Sequence, residues 1–341
     1  MVNSPERFIF FTGASGGHIL PAKILQKHLP DSYIVAIKNP VSLTILKDNP
    51  DTIFLPPLSL KRFKFSAVSE LLKFIFFTLK LKPRKIICFG SYLNLIGVAC
   101  SVLTHCGIFF FEPNLIPGKG TLLLRVFANR IFTVFPQTQK FIGCKTVTVK
   151  MPVSAKAAEK EKTLAGLKFD FRKPVLLVLG GSQGSHFINK SVCEDLEFLD
   201  FAQIIHITGN RDFDSVLKKY SAHKGNHLVL PFTNAMPLFY SVAGTAVSRA
   251  GAGTLAELSY YKIPSLLIPY PQADGHQEFN ALYFGNSGGC IVLNQEKVTP
   301  EKMLSVLKRI IFSDFWKMKD NLAKINITDD GTALAEAIYN G

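Results

Sequence analysis

The stretch that decides the fold is FIFFTGASGGHILP, residues 8–21 of the chain. The apolar residues Phe8–Phe11 lead into a glycine-rich turn, after which the pattern becomes that of a helix. A short apolar strand that runs through glycines into a helix is typical of the start of a β-α-β unit. The stretch VLLVLGGSQGS, residues 175–185, repeats this order in the second half of the chain. Two such starts predict two similar doubly wound domains.

Short apolar runs separated by helix-length segments continue on both sides of these starts. In the first half the predicted strands are Phe8–Phe11, Tyr33–Ile37, Thr52–Leu55, Lys85–Phe89, Ile108–Glu112, Ile131–Phe135 and Thr146–Lys150. In the second half they are Val175–Leu179, Gln203–Ile207, His227–Leu230, Thr245–Ser248, Ser265–Ile268 and Cys290–Leu293. This alternation predicts the α/β class, with two Rossmann-like parallel-sheet domains. We assign residues 1–152 to the first domain and 153–324 to the second.

The composition describes a packed globular protein with an excess of positive charge. Of 341 residues, 48% are hydrophobic and 19% are charged, and the formal net charge is +14. Such a charge indicates an anionic partner: a phosphate-bearing substrate, a membrane surface or nucleic acid. The sequence lacks a module of basic and aromatic residues for nucleic acid, so we expect no nucleic-acid partner.

The cysteines and the hydrophobic pattern predict the compartment. The six cysteines are scattered, which is typical of small buried side chains in a reducing compartment and predicts no metal site. The chain has no run of eighteen apolar residues, and its start resembles no cleavable signal. We therefore expect a cytoplasmic protein whose contact with any membrane is peripheral.

Most residues suited to chemistry follow the predicted strands directly. In open α/β sheets, ligands bind at the carboxyl ends of the strands. The segments at those ends are Gly13–His18, Gly90–Tyr92, Glu112–Asn114, Gly180–Gly184, Arg249–Glu257 and Pro269–Gln277. We expect the site in the cleft between the domains, where these segments come together.

The turn Gly13–His18 combines backbone amides at a helix start with a histidine. Amides in that position suit phosphate, although the turn has neither the dinucleotide-binding G-x-G-x-x-G pattern nor the GK[ST] of a P-loop. An ordinary tight turn between strand and helix explains the glycines equally well. His18 can act as a general base near neutral pH, since the unperturbed pKa of histidine is about 6.5. A purely structural histidine stays open as the alternative.

Two segments of the second domain also suit a nucleotide. Ser182 adds a hydroxyl to the amides of the glycine turn Gly180–Gly184. The small residues Gly251–Thr254 let a ligand approach the backbone closely. Glu257, on the helix that follows, can bridge the two hydroxyls of a ribose, or can simply face the positive end of the helix.

The loop Pro269–Gln277 suits a sugar. Its amide, carboxylate and imidazole groups match hydroxyls, each of which both donates and accepts hydrogen bonds. A metal site at Asp274, His276 and Glu278 is not favoured, because no further ligands cluster with them in the sequence.

Six motifs in order resemble the MurG family of UDP-N-acetylglucosamine transferases, which convert lipid I to lipid II in peptidoglycan synthesis. The motifs are GGHILP (16–21), FGSY (89–92), EPNLIPG (112–118), GGSQG (180–184), SRAGAGT (248–254), and DGHQ with NA (274–277 and 280–281). The resemblance covers nearly the whole chain. It implies the GT-B fold, in which two Rossmann-like domains face each other across a cleft. In this fold a last helix, here within residues 325–341, returns to the first domain.

The resemblance implies roles for individual residues. Binding of UDP-N-acetylglucosamine is implied for Ser15, Gly16, Gly17, Asn114, Ser182, Thr233, Ala252, Gly253, Thr254, Leu255, Ala256, Glu257 and Gln277. Within this set Thr233 would hold the uracil, Glu257 the ribose and Gln277 the sugar hydroxyls. The implied general base is His18, which would take the proton from the C4 hydroxyl of N-acetylmuramic acid, and Glu112 is the competing candidate.

The implied reaction is an inverting transfer that requires neither a metal nor a cofactor. Its acceptor is lipid I, which carries an undecaprenyl chain, and its implied place is the cytoplasmic face of the inner membrane, in cell-wall biogenesis and cell division. Phe111 and Pro113 stand where the family has histidine and glutamine, and Ser154 stands where it has an arginine near the diphosphate. Such a charge-assisted contact contributes about 1.5–3 kcal/mol, so Lys150 or another cation would have to compensate for its loss.

Residues 67–82 have the clearest amphipathic pattern. The stripe expected to face the core consists of Val68, Leu71, Leu72, Ile75 and Leu79. A second stripe consists of Phe74, Phe77 and Leu81, with Lys73, Lys80 and Lys82 beside it. We predict that Phe74, Phe77 and Leu81 contact an anionic membrane surface, although a helix buried on both faces has the same pattern.

Three other functions fit parts of the sequence. Another GT-B transferase, with a lipid acceptor such as diacylglycerol, shares the UDP loops but does not need the glycine–histidine turn. A UDP-N-acetylglucosamine 2-epimerase needs pairs of carboxylates at its site. A catalytically weakened binding or scaffold protein is suggested by Phe111 and Ser154.

Overall fold

The computed structural model describes residues 7–57, 65–143, 145–154, 159–272 and 275–341, with the backbone alone for residues 65–71 and 73. The chain divides into two compact units. Unit 1 consists of Met1–Val153 with Asp329–Gly341, and unit 2 consists of Ser154–Thr328. Each unit is built around its own sheet and is described separately below.

Unit 1 is a parallel sheet with helices between its strands. The strands are β1 (Phe8–Phe11), β2 (Ser32–Ile37), β3 (Thr52–Leu55), β4 (Lys85–Cys88), β5 (Gly107–Glu112), β6 (Arg130–Thr133), β7 (Thr146–Thr148) and β8 (Met151–Pro152). The helices are α1 (Gly16–Leu25), α2 (Pro40–Ile45), α3 (Phe65–Leu81), α4 (Leu93–Thr104), α5 (Lys119–Leu124) and α6 (Gln139–Ile142). The sheet order in the described residues is β3-β2-β1-β4-β5-β6-β7, so the order reverses between β1 and β4.

The central strands of unit 1 are buried on both faces, which is why they have continuous apolar sequences rather than alternating ones. Every residue of Phe8–Phe11 and of Lys85–Cys88 is buried. The β1 and β4 strands pair in parallel with Phe11 opposite Cys88, so both chains leave the sheet at the same edge. The sequence segments that follow them, Gly13–His18 and Gly90–Tyr92, therefore start side by side.

Unit 2 repeats this plan. Its strands are β9 (Val175–Leu179), β10 (Gln203–Ile207), β11 (His227–Leu230), β12 (Thr245–Ser248), β13 (Ser265–Leu267) and β14 (Cys290–Val292). Its helices are α7 (Lys160–Gly166), α8 (His186–Glu194), α9 (Phe213–Tyr220), α10 (Met236–Val242), α11 (Ala252–Tyr260), α12 (His276–Asn286), α13 (Pro300–Arg309) and α14 (Phe315–Ala323). The described strands are parallel in the order β11-β10-β9-β12-β13-β14, and the order reverses between β9 and β12.

The α/β class with two Rossmann-like parallel sheets is confirmed. Each strand predicted from the sequence is present, with small differences at the ends. For example, β4 ends at Cys88 rather than Phe89, and β7 ends at Thr148 rather than Lys150.

The last segment of the chain belongs to unit 1. Strand β15 (Thr328–Asp329) pairs with β8, and helix α15 (Thr332–Tyr339) follows it. The ammonium group of Lys85 donates to the carbonyl oxygens of Ile338 and Tyr339, at 2.6 and 3.0 Å, which places a cation at the negative end of α15. The rings of Phe8 and Tyr339 lie 6.3 Å apart between centroids.

The side chains of helix α3 differ in part from the predicted membrane contact. Phe74 is only 4% exposed and packs edge-on against Phe11 of β1, with ring centroids 5.6 Å apart. Phe77 packs against Phe74 and Tyr33 but is 36% exposed, so its membrane contact stays a prediction, and Leu81 packs against the core of unit 1. The predicted core residues Leu72 and Leu79 are exposed, as is Phe76 at 69%. The prediction was wrong for Phe74 because both sides of this helix are apolar, and the pattern alone does not tell which side meets the sheet.

In the part of the chain that the structure describes, the helices are all too short or too polar to cross a bilayer.

Candidate active site

The predicted site residues lie at the carboxyl ends of the strands of both units. In unit 1, Ser15 precedes α1 and Gly16, Gly17 and His18 begin it, and Glu112 and Asn114 are at the end of β5. In unit 2, Ser182 follows β9, Thr233 follows β11, Ala252–Glu257 begin α11 and Gln277 begins α12. Ser15–His18, Ser182 and Ala252–Glu257 follow strands at which the strand order reverses, where open α/β sheets bind their ligands, and the other residues follow strands farther from the reversal.

The imidazole of His18 lies in the crevice between the ends of β1 and β4. A Cβ on Gly90 would lie 3.0 Å from its Nε2, and a Cβ on Gly13 would overlap its Nδ1. The ring therefore needs glycine on both sides. Nδ1 is buried and has no hydrogen-bond partner among the described residues. Burial lowers the pKa of His18 to about 4, so the imidazole is neutral near pH 7.

The start of α1 is open in front of His18. Ser15 is the N-cap residue, in an extended conformation, but its hydroxyl makes no capping hydrogen bond. A Cβ on Gly17 would meet nothing closer than the Ser15 hydroxyl, at 4.0 Å. The turn therefore leaves room for a ligand beside the first amides of the helix, which carry its positive end.

The carboxylate of Glu112 is fully engaged inside unit 1. Its Oε1 accepts from the backbone N and the side-chain amide of Asn114, at 3.2 and 3.0 Å. Its Oε2 accepts from the backbone N of Gly118 at 2.9 Å and from the Thr121 hydroxyl at 2.8 Å. Because this buried carboxylate accepts from four donors, Glu112 fixes the conformation of the loop 113–118. In this geometry it is not placed as a proton acceptor for a substrate.

Phe111, which departs from the family's pattern, is part of the core. Its ring is buried and lies 5.5 Å from that of Phe89, which in turn lies 6.0 Å from that of Phe10. An aromatic ring here extends an apolar cluster beneath the turn and presents no polar group to a ligand.

The glycine turn after β9 depends on glycine for its shape. Gly181 and Gly184 have φ angles of +84° and +77°, which residues with a Cβ rarely adopt. Position 184 has no room for a side chain either, because a Cβ there would overlap the carbonyl oxygen of Thr208. Ser185 then caps α8 by accepting from the backbone N of Ile188. The turn carries the half-buried Ser182 at its tip.

Arg249 is a site residue to which the sequence analysis gave no role of its own. It follows β12 directly and is only 6% exposed. Its guanidinium donates to the Ser185 hydroxyl, to the carbonyl oxygens of Ile268 and Pro269, and to the Gln295 side chain, at 2.7–3.1 Å. Its place in the sequence, an arginine directly after a strand of small buried residues, was the available signal.

Glu257 lies half-buried on α11 beside two stacked tyrosines. Its Oε2 accepts from the Tyr240 hydroxyl at 2.8 Å, and the rings of Tyr240 and Tyr261 lie 5.4 Å apart. Burial raises the pKa of Glu257 to about 7, although the Tyr240 hydrogen bond acts in the opposite direction. The carboxyl group therefore changes its charge near neutral pH.

Gln277 is held by the backbone of two neighbouring loops. Its Oε1 accepts from the backbone N atoms of Ala250 and Tyr270, at 3.2 and 3.1 Å. Both hydrogen bonds use the oxygen of the Gln277 amide, so its nitrogen is the atom that can donate to a ligand. Asp274 of the same loop lies outside the described residues.

The remaining predicted residues have simpler surroundings. The Thr233 hydroxyl accepts from the backbone N of Ala235 at 2.9 Å and shapes the turn before α10. The carbonyl oxygen of Ser154 accepts from the Tyr261 hydroxyl at 3.3 Å. Among the described residues, no group of three or more His, Cys, Asp and Glu side chains is arranged to hold a metal ion.

Comparison with known proteins first defines the class. Residues 175–327, nearly all of unit 2, match the Glycosyltransferase family 28 C-terminal domain. Unit 2 is thus a glycosyltransferase domain, and the glycine turn, Arg249, Glu257 and Gln277 all lie within it.

Full-length relatives then define the family. The chain is 34% identical over 334 residues to a UDP-N-acetylglucosamine--N-acetylmuramyl-(pentapeptide) pyrophosphoryl-undecaprenol N-acetylglucosamine transferase of Aquifex aeolicus (strain VF5), covering 92% of this chain and 94% of that protein. A protein of the same name from Gloeothece citriformis (strain PCC 7424) is 30% identical over 362 residues, covering 100% and 97%. The crystal structure of Acinetobacter baumannii MurG has the same fold, with a TM-score of 0.74 at 21% identity and coverage of 99% and 100%. The chain belongs to the MurG family.

Proposed function

We propose that this protein transfers N-acetylglucosamine from UDP-N-acetylglucosamine to the C4 hydroxyl of N-acetylmuramic acid in undecaprenyl-diphospho-N-acetylmuramoyl-pentapeptide. It is thus a hexosyltransferase of peptidoglycan synthesis that converts lipid I to lipid II. The observation that carries this proposal is membership of the MurG family over almost the whole chain. The neutral imidazole of His18 at the end of β1 supports it.

Unit 2 is proposed to bind the donor. The turn with Ser182 and the first turn of α11, Ala252–Glu257, both present backbone amides suited to a diphosphate. The Oε1 of Glu257, which Tyr240 does not occupy, is available to the hydroxyls of the ribose. Thr233 is proposed for the uracil, and the amide nitrogen of Gln277, whose oxygen accepts from Ala250 and Tyr270, for the sugar hydroxyls.

Unit 1 is proposed to bind the acceptor, with Ser15, Gly16, Gly17 and Asn114 contributing to the donor as well. His18 is the proposed general base, and Nε2 is the nitrogen that acts because Nδ1 is buried. The proton of the acceptor hydroxyl passes to Nε2 while the hydroxyl oxygen forms a bond to C1 of the sugar. The bond from C1 to the diphosphate breaks, so C1 is inverted and UDP leaves with the electron pair.

Because its pKa is low, His18 is a weak base that is already deprotonated at neutral pH. A base with a pKa of about 4 is deprotonated throughout the neutral range. Proton transfer is then favourable only late in the reaction, when the acceptor oxygen has bonded to C1 and has become acidic. The amides around the leaving diphosphate supply the electrostatic stabilisation in the same step. This mechanism needs no metal and no cofactor.

A peripheral contact with the inner face of the cell membrane is proposed for unit 1. Apolar side chains are exposed on α3, α4, α5 and the turn after it, at Leu72, Phe76, Phe77, Leu79, Leu95, Val102, Leu103, Leu123, Val126 and Phe127. We name this set the apolar face. Helix α3 packs against α4, and α4 packs against α5. The exposed cations Lys80, Lys82, Lys119 and Arg125 suit anionic headgroups.

A different lipid acceptor is the main competing function. A weakened scaffold protein is the other, motivated by Ser154 in place of the family's arginine. Incubating the protein with UDP-N-acetylglucosamine and either a lipid I analogue or diacylglycerol distinguishes these functions from the proposed one. The proposal expects transfer to the lipid I analogue alone. Transfer to diacylglycerol would support the competing transferase, and donor binding without transfer would support the scaffold protein.

A further inference from the structure

Arg249 carries a buried positive charge, and its hydrogen-bond partners among the described residues are neutral. Its Nε donates to the Ser185 hydroxyl at 3.0 Å and its Nη2 to Oε1 of Gln295 at 2.7 Å. Its Nη1 donates to the carbonyl oxygens of Ile268 and Pro269, at 3.0 and 3.1 Å. All four acceptors are uncharged. No carboxylate of the described residues forms an ion pair with this guanidinium.

Two aromatic rings compensate for only part of this charge. The guanidinium carbon lies 5.8 Å from the ring centroid of Phe187 and 5.4 Å from that of Tyr270. Cation–π contacts of this kind contribute about 0.5–2 kcal/mol each. Removing a full charge from water costs several kcal/mol even after the protein relaxes, so buried charges are normally paired with an opposite charge. The burial also lowers the pKa of Arg249, to about 10, and the side chain is still a cation at neutral pH.

The contacts of Arg249 also join the loops of the candidate donor site. Ser185 follows the glycine turn after β9, and Ile268 and Pro269 follow β13. Gln295 lies in the segment after β14. Arg249 itself follows β12, so one side chain ties together the carboxyl ends of four neighbouring strands. The cation is therefore placed at the edge of the sheet where a ligand would bind.

We propose that Arg249 is a positioning residue for the donor diphosphate: it fixes the loops that surround the diphosphate and supplies the positive charge that the diphosphate neutralises. This inference rests on the proposed function, because it assumes a UDP-sugar in unit 2. It also gives the chain a cation for the diphosphate although position 154 is a serine. Arg249 acts through Ser185 and through its field, not as a group that touches the reacting atoms.

The test compares a charged ligand with an uncharged one. Affinities for UDP and uridine are measured by calorimetry for the wild type, for Arg249→Met and for Arg249→Lys. The readout is the dissociation constant of uridine divided by that of UDP, which reports the diphosphate alone. We expect this ratio to fall about tenfold in Arg249→Met, since loss of one charge near a diphosphate amounts to about 1.4 kcal/mol or more. We expect a smaller fall in Arg249→Lys, which keeps the charge.

Arg309→Met is the matched control. Arg309 is exposed and paired with Asp314 at 2.7 Å, away from the site, so its loss should leave the ratio unchanged. A purely structural Arg249 would weaken UDP and uridine by the same factor, and an unchanged ratio in Arg249→Met would overturn the proposal. If Arg249→Met does not fold, Arg249→Gln, which removes the charge but keeps an amide donor, takes its place, and an unchanged ratio in that variant would overturn the proposal equally. A wild type that binds neither ligand, or binds both equally, would contradict the proposed donor site as well, whereas a wild type that prefers UDP and an Arg249→Met variant with the same ratio would contradict only this inference.

Discussion

The imidazole of His18 occupies the space that a side chain at position 13 would need, so that a Cβ on Gly13 would overlap Nδ1. Gly13→Ala should therefore displace the ring. Since general base catalysis contributes about 10²–10⁴-fold, we expect the turnover number to fall roughly 100-fold. The assay is transfer from UDP-N-acetylglucosamine to a lipid I analogue.

Two further variants give this prediction its control. The double variant Gly13→Ala/His18→Ala should be no slower than His18→Ala, because both changes remove the same group. Gly166→Ala should keep the full rate, since a Cβ there meets nothing within 4 Å. Independent, multiplying losses for Gly13→Ala and His18→Ala would contradict the role that we give to the ring.

Glu112 should behave as a structural residue. In Glu112→Gln an amide N–H₂ group replaces one carboxylate oxygen. This donor then faces other donors, either those of Gly118 and Thr121 or those of Asn114, so hydrogen bonds are lost. We expect the free energy of unfolding to fall by about 1–3 kcal/mol, and Thr121→Val to cause a smaller fall of the same kind. Denaturant unfolding measures both.

The activity of the same variants separates structure from catalysis. At a temperature where both are folded, each should retain its rate within about tenfold, since neither residue is proposed to move a proton. A loss of two orders of magnitude in Glu112→Gln, with unchanged stability and a fully active Thr121→Val, would make Glu112 the base instead of His18.

The sequence was sufficient for the sheets and for the place of the site. A parallel sheet buried on both faces has continuous apolar strands, so Phe8–Phe11 and Val175–Leu179 were located to the residue. The edge that binds ligands follows from the strand order, because chains that leave parallel strands emerge together. Glu112 shows what was missing: its four donors come from residues 114, 118 and 121, and only the folded loop brings them to one carboxylate.

Donor binding should depend on pH through Glu257. The pKa of this carboxyl group is raised to about 7, and the ribose hydroxyls need the ionised form as their acceptor. Only about a tenth of the group is ionised at pH 6, so the affinity for UDP-N-acetylglucosamine should fall about tenfold between pH 8 and pH 6. The phosphates of this ligand do not titrate in that range. Glu257→Gln should bind with the same weak affinity at both pH values.

The stability of the protein without ligand should change in the opposite direction. A carboxyl group with a raised pKa stabilises the fold below its ordinary value of 4.5 and loses that contribution as the pH rises through about 7. The melting temperature of the wild type, relative to that of Glu257→Gln, should therefore fall from pH 6 to pH 8. A rise over this interval would show that the carboxyl group is not desolvated in the free protein.

Membrane binding should follow the exposed side of α3. Phe76→Ser should weaken binding to anionic vesicles without changing the melting temperature, because the Phe76 ring is exposed. Phe74→Ser should instead destabilise unit 1 by about 3–5 kcal/mol, since that ring fills the core against Phe11. Vesicle co-sedimentation and thermal unfolding give the two readouts. Unaltered binding of Phe76→Ser would remove this residue from the contact.

Tryptophan fluorescence can report on the same membrane contact. Trp316 is the only tryptophan of the chain, so Trp316→Phe combined with Phe76→Trp moves the reporter to the apolar face. Its emission should shift to the blue when anionic vesicles are added. An unshifted spectrum in a variant that still sediments with vesicles would place the membrane contact elsewhere.

The two stripes of α3 show where sequence reasoning stopped. Both contain large apolar residues at helical spacing, and the choice between them depends on the position of Phe11 in the folded sheet. Arg249 was overlooked for a related reason, because its four acceptors come from the ends of three other strands.

The most direct measurement of the central claim is the transfer reaction itself, with UDP-N-acetylglucosamine, a lipid I analogue and a chelator present, for the wild type and His18→Ala. We predict that the wild type forms the disaccharide with inverted configuration at C1, at the same rate with and without chelator. His18→Ala should bind the donor as before and turn over roughly 100-fold more slowly. Donor binding without disaccharide in the wild type, or a full rate in His18→Ala, would contradict the account.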